Sequence, residues 1–429
     1  MQPRESGREG DIFVNQDDRN ENRVPQQPGG QPHQDPAQHD GQQPYMNPAQ
    51  PYGEPQYRDP GEPYGQPPFQ NSAQIYTQPL YREESSAAQP PSPEMQRKLA
   101  LSRLRHAGNN ASMIPIIMTL AQIVAVIVAI IVWAVFNLNT LRPFYRHGNS
   151  SRMVKYMMSQ MGTFIILTIV SVFAAMIITA LIGRCTLRQK IFGAWKRPKW
   201  TAPGFAKCLV LLFGIVGVGV LLATGLENLS KAIGLKTNTP NVNLTGNRMA
   251  DAALLAYVCV LGPIMEETLF RGMILQSLRP WGDRLAIIVS AVLFGLAHLN
   301  LYQGLPAVLL GLLFGFATVK TGSIVPSALM HILCNSFSMT MMANGIETNE
   351  TLQECYVIFL AAAVLGSILL FAFRKIDFSG IGTQPAPGVQ AVEHPYRTVF
   401  VQSAAFWVLV ACFLLFTFLL TGASTLSHM

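Results

Sequence analysis

Apolar residues in this chain are gathered into blocks of about 15 to 27 residues, separated by short polar segments. A helix of about 20 nearly uncharged residues has the length needed to cross a bilayer. The pattern predicts an all-α fold, a polytopic transmembrane helix bundle of about 8–9 spans. The fifth and sixth blocks are short, so a re-entrant pair is an alternative there. The nine blocks are 113–136, 161–183, 205–226, 251–277, 285–301, 305–319, 323–343, 355–373 and 400–421.

Residues 1–96 follow a different pattern, because they are rich in Gln, Pro and Gly and poor in Leu and Val. They contain too little apolar surface to offset the entropy of ordering, which predicts a disordered cytoplasmic tail. Pro-Tyr units recur in this tail and are candidates for recruiting a tail-binding protein, with a solvated tail without partners as the alternative. The units are Pro44-Tyr45, Pro51-Tyr52 and Pro63-Tyr64. The first 20 residues have no apolar segment of the signal-peptide kind.

The charge pattern indicates a membrane protein rather than a nucleic-acid-binding protein. Only 13% of residues are charged and 49% are hydrophobic, although the net charge is +7. Most Lys and Arg residues lie beside the apolar blocks, where basic residues determine topology. They mark every second loop, apart from the loop after the first block, which predicts a multi-pass cell-membrane protein with a cytoplasmic N-terminus and an outer C-terminus.

Polar residues interrupt the apolar pattern mainly within 246–345, between the first group of predicted helices at 97–245 and the last at 346–429. An ionisable residue inside an apolar span costs a few kcal/mol and usually faces a partner or a cavity. Glu267 and Arg271 are four residues apart, so they meet on one helix face. Glu266 points about 100° away and lacks that cation. A desolvated, unpaired carboxylate is a better proton acceptor, which suits a general base.

Two later blocks add imidazole and amide groups. His298 lies near the end of the fifth block, and His331 and Asn335 share a face of the seventh. Such a pair offers donors for an oxyanion, or ligands for a metal. At about 1.5 Å per residue, all these groups lie about 14–24 Å from the cytoplasmic side. The polar cluster consists of Glu266, Glu267, Arg271, His298, His331 and Asn335.

A structural interpretation of the same residues remains open. A Glu–Arg pair can link helices, a single His is often a core residue, and Asn335 can hydrogen-bond a neighbouring helix. Phe294 is interpreted as a packing residue, and Gly311 with Gly315 as a close helix contact. The chain has no HExxH, GxSxG or Walker A motif, so the sequence does not indicate zincins, serine-elbow hydrolases or ATP-driven pumps.

The polar cluster falls into three motifs in order, EExxxR at 266–271, FxxxH at 294–298 and HxxxN at 331–335. This arrangement resembles the signature of the type II CAAX prenyl endopeptidase family, also called CPBP or Abi-type intramembrane proteases. The resemblance covers about residues 250–340 and implies that 246–345 is a catalytic core. It implies an endopeptidase that cleaves a membrane-associated or lipidated protein substrate within the lipid bilayer.

The resemblance also implies a role for each residue of the polar cluster. The roles are a general base that activates a water (Glu266), a residue that holds this water (His298), a supporting carboxylate with its arginine (Glu267, Arg271) and two oxyanion donors (His331, Asn335). A Zn²⁺ site with Glu266, His298 and His331 as ligands and a metal-free glutamate mechanism both fit these residues. The alternatives to a protease are a non-catalytic membrane regulator or scaffold, of the bacteriocin-immunity or sensor-kinase-partner type, and a transporter with a buried proton relay.

Overall fold

The structure is a computed structural model that describes residues 91–146, 150–234, 244–344, 346, 348–382 and 392–426. The predicted tail 1–96 therefore lies almost entirely outside the described residues. Its last part is described, and the first helix already begins there, at Pro93.

Helices form all of the regular structure in the described parts of the chain, so the predicted all-α class is confirmed. Each of the nine predicted apolar blocks corresponds to a helix. The α-helices are α1 Pro93–Arg146, α2 Ser150–Ser159, α3 Met161–Leu187, α4 Ala202–Ala232, α5 Arg248–Ala256, α6 Gly262–Glu267, α7 Leu275–Leu278, α8 Asp283–Leu296, α9 Leu301–Thr321, α10 Val325–Ala343, α11 Glu350–Ala372, α12 Pro395–Phe400 and α13 Ala404–Leu426.

Six helical segments within the described residues are long and apolar enough to cross a membrane, as expected of a multi-pass membrane protein. They are α1, α3, α4, the segment Arg248–Trp281, α9 and α11. With 14 residues, α8 is about 21 Å long and falls short of a hydrocarbon core of about 30 Å. The short fifth block of the sequence is therefore a short helix, and it pairs with α9.

The segment Arg248–Trp281 is continuous but not uniformly α-helical. Two π-helical turns, Tyr257–Leu261 and Thr268–Ile274, separate α5, α6 and α7, and the 3₁₀ turn Arg279–Trp281 ends the segment. Pro263 explains part of the first irregularity, because it has no N–H and cannot continue the α-helical hydrogen bonds. π-turns occur frequently at functional sites.

Helix α9 lies at the centre of the packing that forms the site. It contacts α8 over its length, and it also packs against α4 and α10, while α4 packs against α11 on its other side. A Cβ atom added at Gly311 would lie 2.9 Å from Ala291 Cα, so the backbones of α8 and α9 approach closely there. Gly315 lies similarly close to Ile287. The predicted close helix contact of these two glycines is confirmed.

A rigid turn joins α8 to α9 and fixes the end of α8. Leu299 adopts a left-handed conformation with φ of 56°. Asn300 caps α9, because its Oδ1 accepts a hydrogen bond from Gln303 N at 2.9 Å. Asn300 Nδ2 also donates to the backbone oxygen of His298 at 3.0 Å. His298 is thus held by the turn as well as by α8.

Candidate active site

A buried ion pair lies at the centre of the polar cluster. Glu267 and Arg271 are both fully buried, and Arg271 Nη1 donates to Glu267 Oε1 at 2.6 Å. The guanidinium lies 4.3 Å from the centre of the Phe294 ring and 5.2 Å from that of Phe314. Two ring faces beside a desolvated guanidinium provide cation–π stabilisation. The predicted contact between Glu267 and Arg271 is therefore confirmed, with aromatic side chains completing it.

His331 connects the two adjacent carboxylates. Its Nδ1 lies 3.1 Å from Glu267 Oε1 and, because a carboxylate only accepts, Nδ1 must carry the proton of this hydrogen bond. On the other side of the ring, Nε2 lies 3.7 Å from Glu266 Oε2. Phe294 and Phe314 both contact the imidazole, with ring centres 5.7 and 5.2 Å away. His331 therefore has a fixed ring orientation and directs Nε2 toward Glu266.

Glu266 and Glu267 differ in exposure although they are neighbours. The side chain of Glu266 is 29% exposed, whereas that of Glu267 is fully buried. The distance of 3.7 Å from Glu266 to His331 exceeds a direct hydrogen bond. The two carboxylates are thus inequivalent, and only Glu266 has an exposed part.

His298 is oriented by its own helix. Its Nδ1 lies 2.9 Å from the backbone oxygen of Phe294, which accepts but cannot donate. The proton of this hydrogen bond therefore resides on Nδ1, and the lone pair of a neutral imidazole is left on Nε2. The Phe294 ring also packs edge-on against the His298 ring, with centres 5.0 Å apart. His298 can accept a hydrogen bond at Nε2.

Asn335 donates a hydrogen bond to a backbone carbonyl of another segment that lacks its helical donor. Gly262 N donates to Tyr257 O across the first π-turn, and Pro263 has no N–H to donate to Val258 O. Asn335 Nδ2 supplies the missing donor, at 2.9 Å from Val258 O. The expected helix–helix hydrogen bond of Asn335 is present. The amide keeps a second N–H, which this contact does not use.

A cavity of about 420 Å³ adjoins the cluster between α4, α9 and α10. His298, His331 and Asn335 line it, together with Phe294 and Tyr302. Glu266 is not among the lining residues, although its partner His331 is. Three of the six predicted site residues thus face one cavity, and the other three lie behind or beside them.

The zinc site predicted from Glu266, His298 and His331 stays a prediction. Among the described residues, no group of three His, Cys, Asp or Glu side chains is arranged to hold a metal ion. In both histidines Nδ1 takes part in a hydrogen bond, which leaves Nε2 as the atom that could bind a metal. This division of the two nitrogens is common in zinc-binding histidines.

Three residues of the site were not identified as functional by the sequence. Phe294 was interpreted as a packing residue, and it does pack, but its partners are Arg271, His298 and His331. Phe314 lies in an apolar helix without any distinguishing pattern. Pro263 precedes the glutamates by three residues and is visible in the sequence, yet the orphaned carbonyl becomes apparent only when Asn335 lies beside it.

Comparison with known proteins agrees with the motif resemblance. Residues 248–337 match the family model described as Type II CAAX prenyl endopeptidase Rce1-like. An "Uncharacterized 24.3 kDa protein" of Escherichia coli is 28% identical over 127 residues, which cover 28% of this chain and 58% of that relative. The chain thus spans a little over half of the relative's length, and no solved structure matches it. The matched segment contains the whole polar cluster, and residues 248–337 are thus similar to the type II CAAX prenyl endopeptidase Rce1-like family, consistent with the CPBP signature of their motifs.

Proposed function

We propose that the chain is an intramembrane endopeptidase that hydrolyses a peptide bond of a membrane-associated or lipidated protein. The observation that carries this proposal is the position of His331 between the two carboxylates, in the wall of a cavity inside a membrane helix bundle. If the Glu267–Arg271 pair were only structural, it would not require the partly exposed Glu266 beside it. Nor would it require His298 with an Nε2 that can accept a hydrogen bond.

Glu266 acts as the general base. It takes a proton from a water molecule that His298 Nε2 holds by accepting the water's other hydrogen. The hydroxyl oxygen attacks the substrate's carbonyl carbon, and Glu266 then returns the proton to the leaving amine. General bases of this kind contribute about 10²–10⁴-fold to a rate.

Oxyanion stabilisation comes from His331 and Asn335. His331 donates to the oxyanion from Nε2 once this atom carries a proton, while Glu267 accepts from Nδ1 and holds the ring in place. Asn335 contributes the N–H that Val258 leaves free. Arg271 keeps Glu267 charged and in place. Donors aimed at a developing oxyanion typically contribute about 10²–10³-fold each.

The proposed mechanism needs no metal ion, because a carboxylate and an imidazole can activate water directly. The similarity of residues 248–337 to prenyl endopeptidases and a cavity between membrane helices support the proposed substrate class. With the cytoplasmic N-terminus predicted from the basic loops, the cavity residues Tyr302, Met342 and Tyr356 lie near the predicted outer ends of their helices.

The test is cleavage by Glu266→Gln, with Glu354→Gln as the matched control on an exposed helix end. Both full-length variants are reconstituted in liposomes with a fluorogenic farnesylated peptide. Membrane proteomes of cells that express each variant are compared in parallel for uncleaved protein. We expect Glu266→Gln to lose at least 100-fold in activity and to accumulate a substrate, and Glu354→Gln to match the unaltered chain.

Unaltered cleavage in Glu266→Gln would contradict the proposal. A cellular phenotype that survives this substitution, without any accumulating protein, would instead favour the non-catalytic regulator. The same liposome assay is repeated with a strong chelator, and metal content is measured. Loss of activity on chelation that zinc restores would contradict the metal-free mechanism.

A further inference from the structure

A second cavity, separate from the polar cluster, lies where one end of α9 meets α4 and the segment that follows α11. Its volume is about 300 Å³. Four lysines line it, from three different parts of the chain: Lys199, Lys207, Lys320 and Lys375. Asp377 is the acidic residue among the lining residues, so the site carries a net charge of +3.

Backbone and side-chain contacts hold this basic cavity in place. Lys199 N donates to Thr321 O at 3.1 Å, and Lys207 Nζ donates to Lys375 O at 3.0 Å. Lys320 Nζ donates to Asp377 Oδ2 at 2.8 Å, which holds the pKa of that carboxyl well below its usual range. Asp377 therefore neutralises Lys320. The side chains of Lys199 and Lys375 are exposed and available to a ligand.

An apolar groove of about 390 Å³ continues from the basic cavity along α4, α9 and α11. Phe316 and Ile376 line both spaces, so the two are adjacent. Ser367 is the one polar side chain among the described residues that line the groove. The combined site thus has a cationic end and a long hydrocarbon-like part.

We propose that the basic cavity and the apolar groove together bind one anionic phospholipid, with the headgroup phosphate among the lysines and an acyl chain in the groove. Basic pockets between transmembrane helices bind such headgroups. Trp200 also lines the cavity, and tryptophan favours the depth of lipid headgroups. Lys199, Lys320 and Lys375 come from segments whose basic residues predict the cytoplasmic side, where anionic lipids attract them.

The headgroup end of this site lies apart from the polar cluster along α9. Ala307 lines the cavity of the polar cluster, and Lys320 lines the basic cavity. They are separated by 13 residues of continuous helix, or about 20 Å. The apolar groove adjoins the cavity of the polar cluster at its other end, since Ile215 lines both spaces. A substrate's lipid chain would enter the groove from that end, so competition by a farnesylated peptide distinguishes the two ligands.

The experiment measures lipid retention by native mass spectrometry on the full chain in detergent. Phosphatidylglycerol is titrated against phosphatidylcholine with the same acyl chains. We expect retention of one phosphatidylglycerol. Lys199→Gln combined with Lys375→Gln should weaken it about 25-fold, since each lysine near a headgroup contributes about fivefold. The control is the double variant Lys190→Gln with Lys196→Gln. It removes the same amount of charge, from the basic loop that contains Lys199 but outside the cavity, and should leave lipid retention unchanged.

The groove is tested with Val218→Trp, which fills it, against Leu221→Trp on the same helix outside it. Only Val218→Trp should reduce lipid retention. Equal retention of phosphatidylglycerol and phosphatidylcholine would overturn the proposal. So would equal lipid retention by the two double lysine variants. If inorganic phosphate competes as strongly as the lipid does, the site binds free anions. If the farnesylated peptide displaces the lipid, the site binds substrate. Either result would overturn the proposal. Glu266→Gln should retain the lipid, which separates this test from that of the protease.

Discussion

Glu266 and Glu267 are adjacent in the chain, but the helix directs them into different surroundings. Glu267 is fully buried against Arg271 and His331, and Glu266 is partly exposed beside the other nitrogen of the same imidazole. The free energy lost when a charge is taken out of water is offset only while the oppositely charged partner stays in place. Substitutions at the two positions should therefore separate stability from activity.

Replacing Glu267 by Gln should destabilise the protein, because it leaves the buried charge of Arg271 uncompensated. Removal of one partner from a buried pair typically costs about 3–5 kcal/mol. Glu266→Gln should change stability by less than about 1 kcal/mol, since its side chain is 29% exposed. The measurement is thermal unfolding of both variants in the same detergent. Equal unfolding midpoints would show that the two carboxylates are equivalent.

Asn335→Ala should leave Val258 O without a donor, at a cost of about 1–3 kcal/mol. Pro263→Ala restores an N–H near this carbonyl. The double variant should therefore regain part of the stability lost in Asn335→Ala, but not its cleavage activity if Asn335 also serves the oxyanion. Unfolding and cleavage are measured on both single variants and the double variant. Joint recovery of stability and activity would assign Asn335 a structural role alone.

The contact between Glu267 and Arg271 could be predicted from the sequence because it depends only on the helical repeat of a single segment. The Asn335 contact could not, because the helix of Val258 and the helix of Asn335 are far apart in the chain. Phe314 is a similar case. An aromatic residue in an apolar helix is ordinary, and only the folded chain places its ring against Arg271 and His331.

At the scale of helices, hydropathy located each long apolar helix but not its ends, and it did not indicate the short helices α2 and α12. Block 113–136 covers only the apolar part of α1, which extends over 54 residues to polar regions on both sides. The π-turns around the glutamates are equally invisible to an apolar window, because they change hydrogen bonding and leave composition unchanged. The close approach of α8 and α9 was predictable, since Gly311 and Gly315 mark it with small residues.

Gly311→Ala tests whether this approach sets the geometry of the site. The added Cβ would lie 3.0 Å from Ala291 Cβ and 3.1 Å from Arg271 Nη2, so α8 or the guanidinium must shift. We expect a loss of about 1–3 kcal/mol of stability and reduced cleavage. Gly225→Ala is the control, because a Cβ added at this exposed position of α4 would have no atom within 4 Å. The control should be neutral or slightly stabilising. Full activity of Gly311→Ala would show that the helices have room to separate.

For the whole molecule, the predicted orientation depends on how the short pair α8 and α9 meets the bilayer. With 14 residues, α8 is shorter than a hydrocarbon core of about 30 Å, whereas α9 is long enough to cross it. If both helices cross or neither does, the number of predicted spans is odd and the two ends of the helix bundle lie on opposite sides. If α9 alone crosses, they lie on the same side. The basic loops predict opposite sides, with the N-terminus in the cytoplasm.

Two exposed native cysteines allow this orientation to be measured. Cys185 lies near the end of α3 beside Arg184, on the predicted cytoplasmic side, and Cys355 lies near the start of α11 beside Glu354, on the predicted outer side. Each is kept as the single cysteine of a full-length variant. A membrane-impermeant maleimide should label Cys355 on intact cells and Cys185 only after permeabilisation, because neighbouring charges keep both near water. Labelling of both in permeabilised cells is the control for reactivity, and labelling of Cys185 in intact cells would contradict the predicted topology and place the cavity end marked by Tyr356 on the cytoplasmic side.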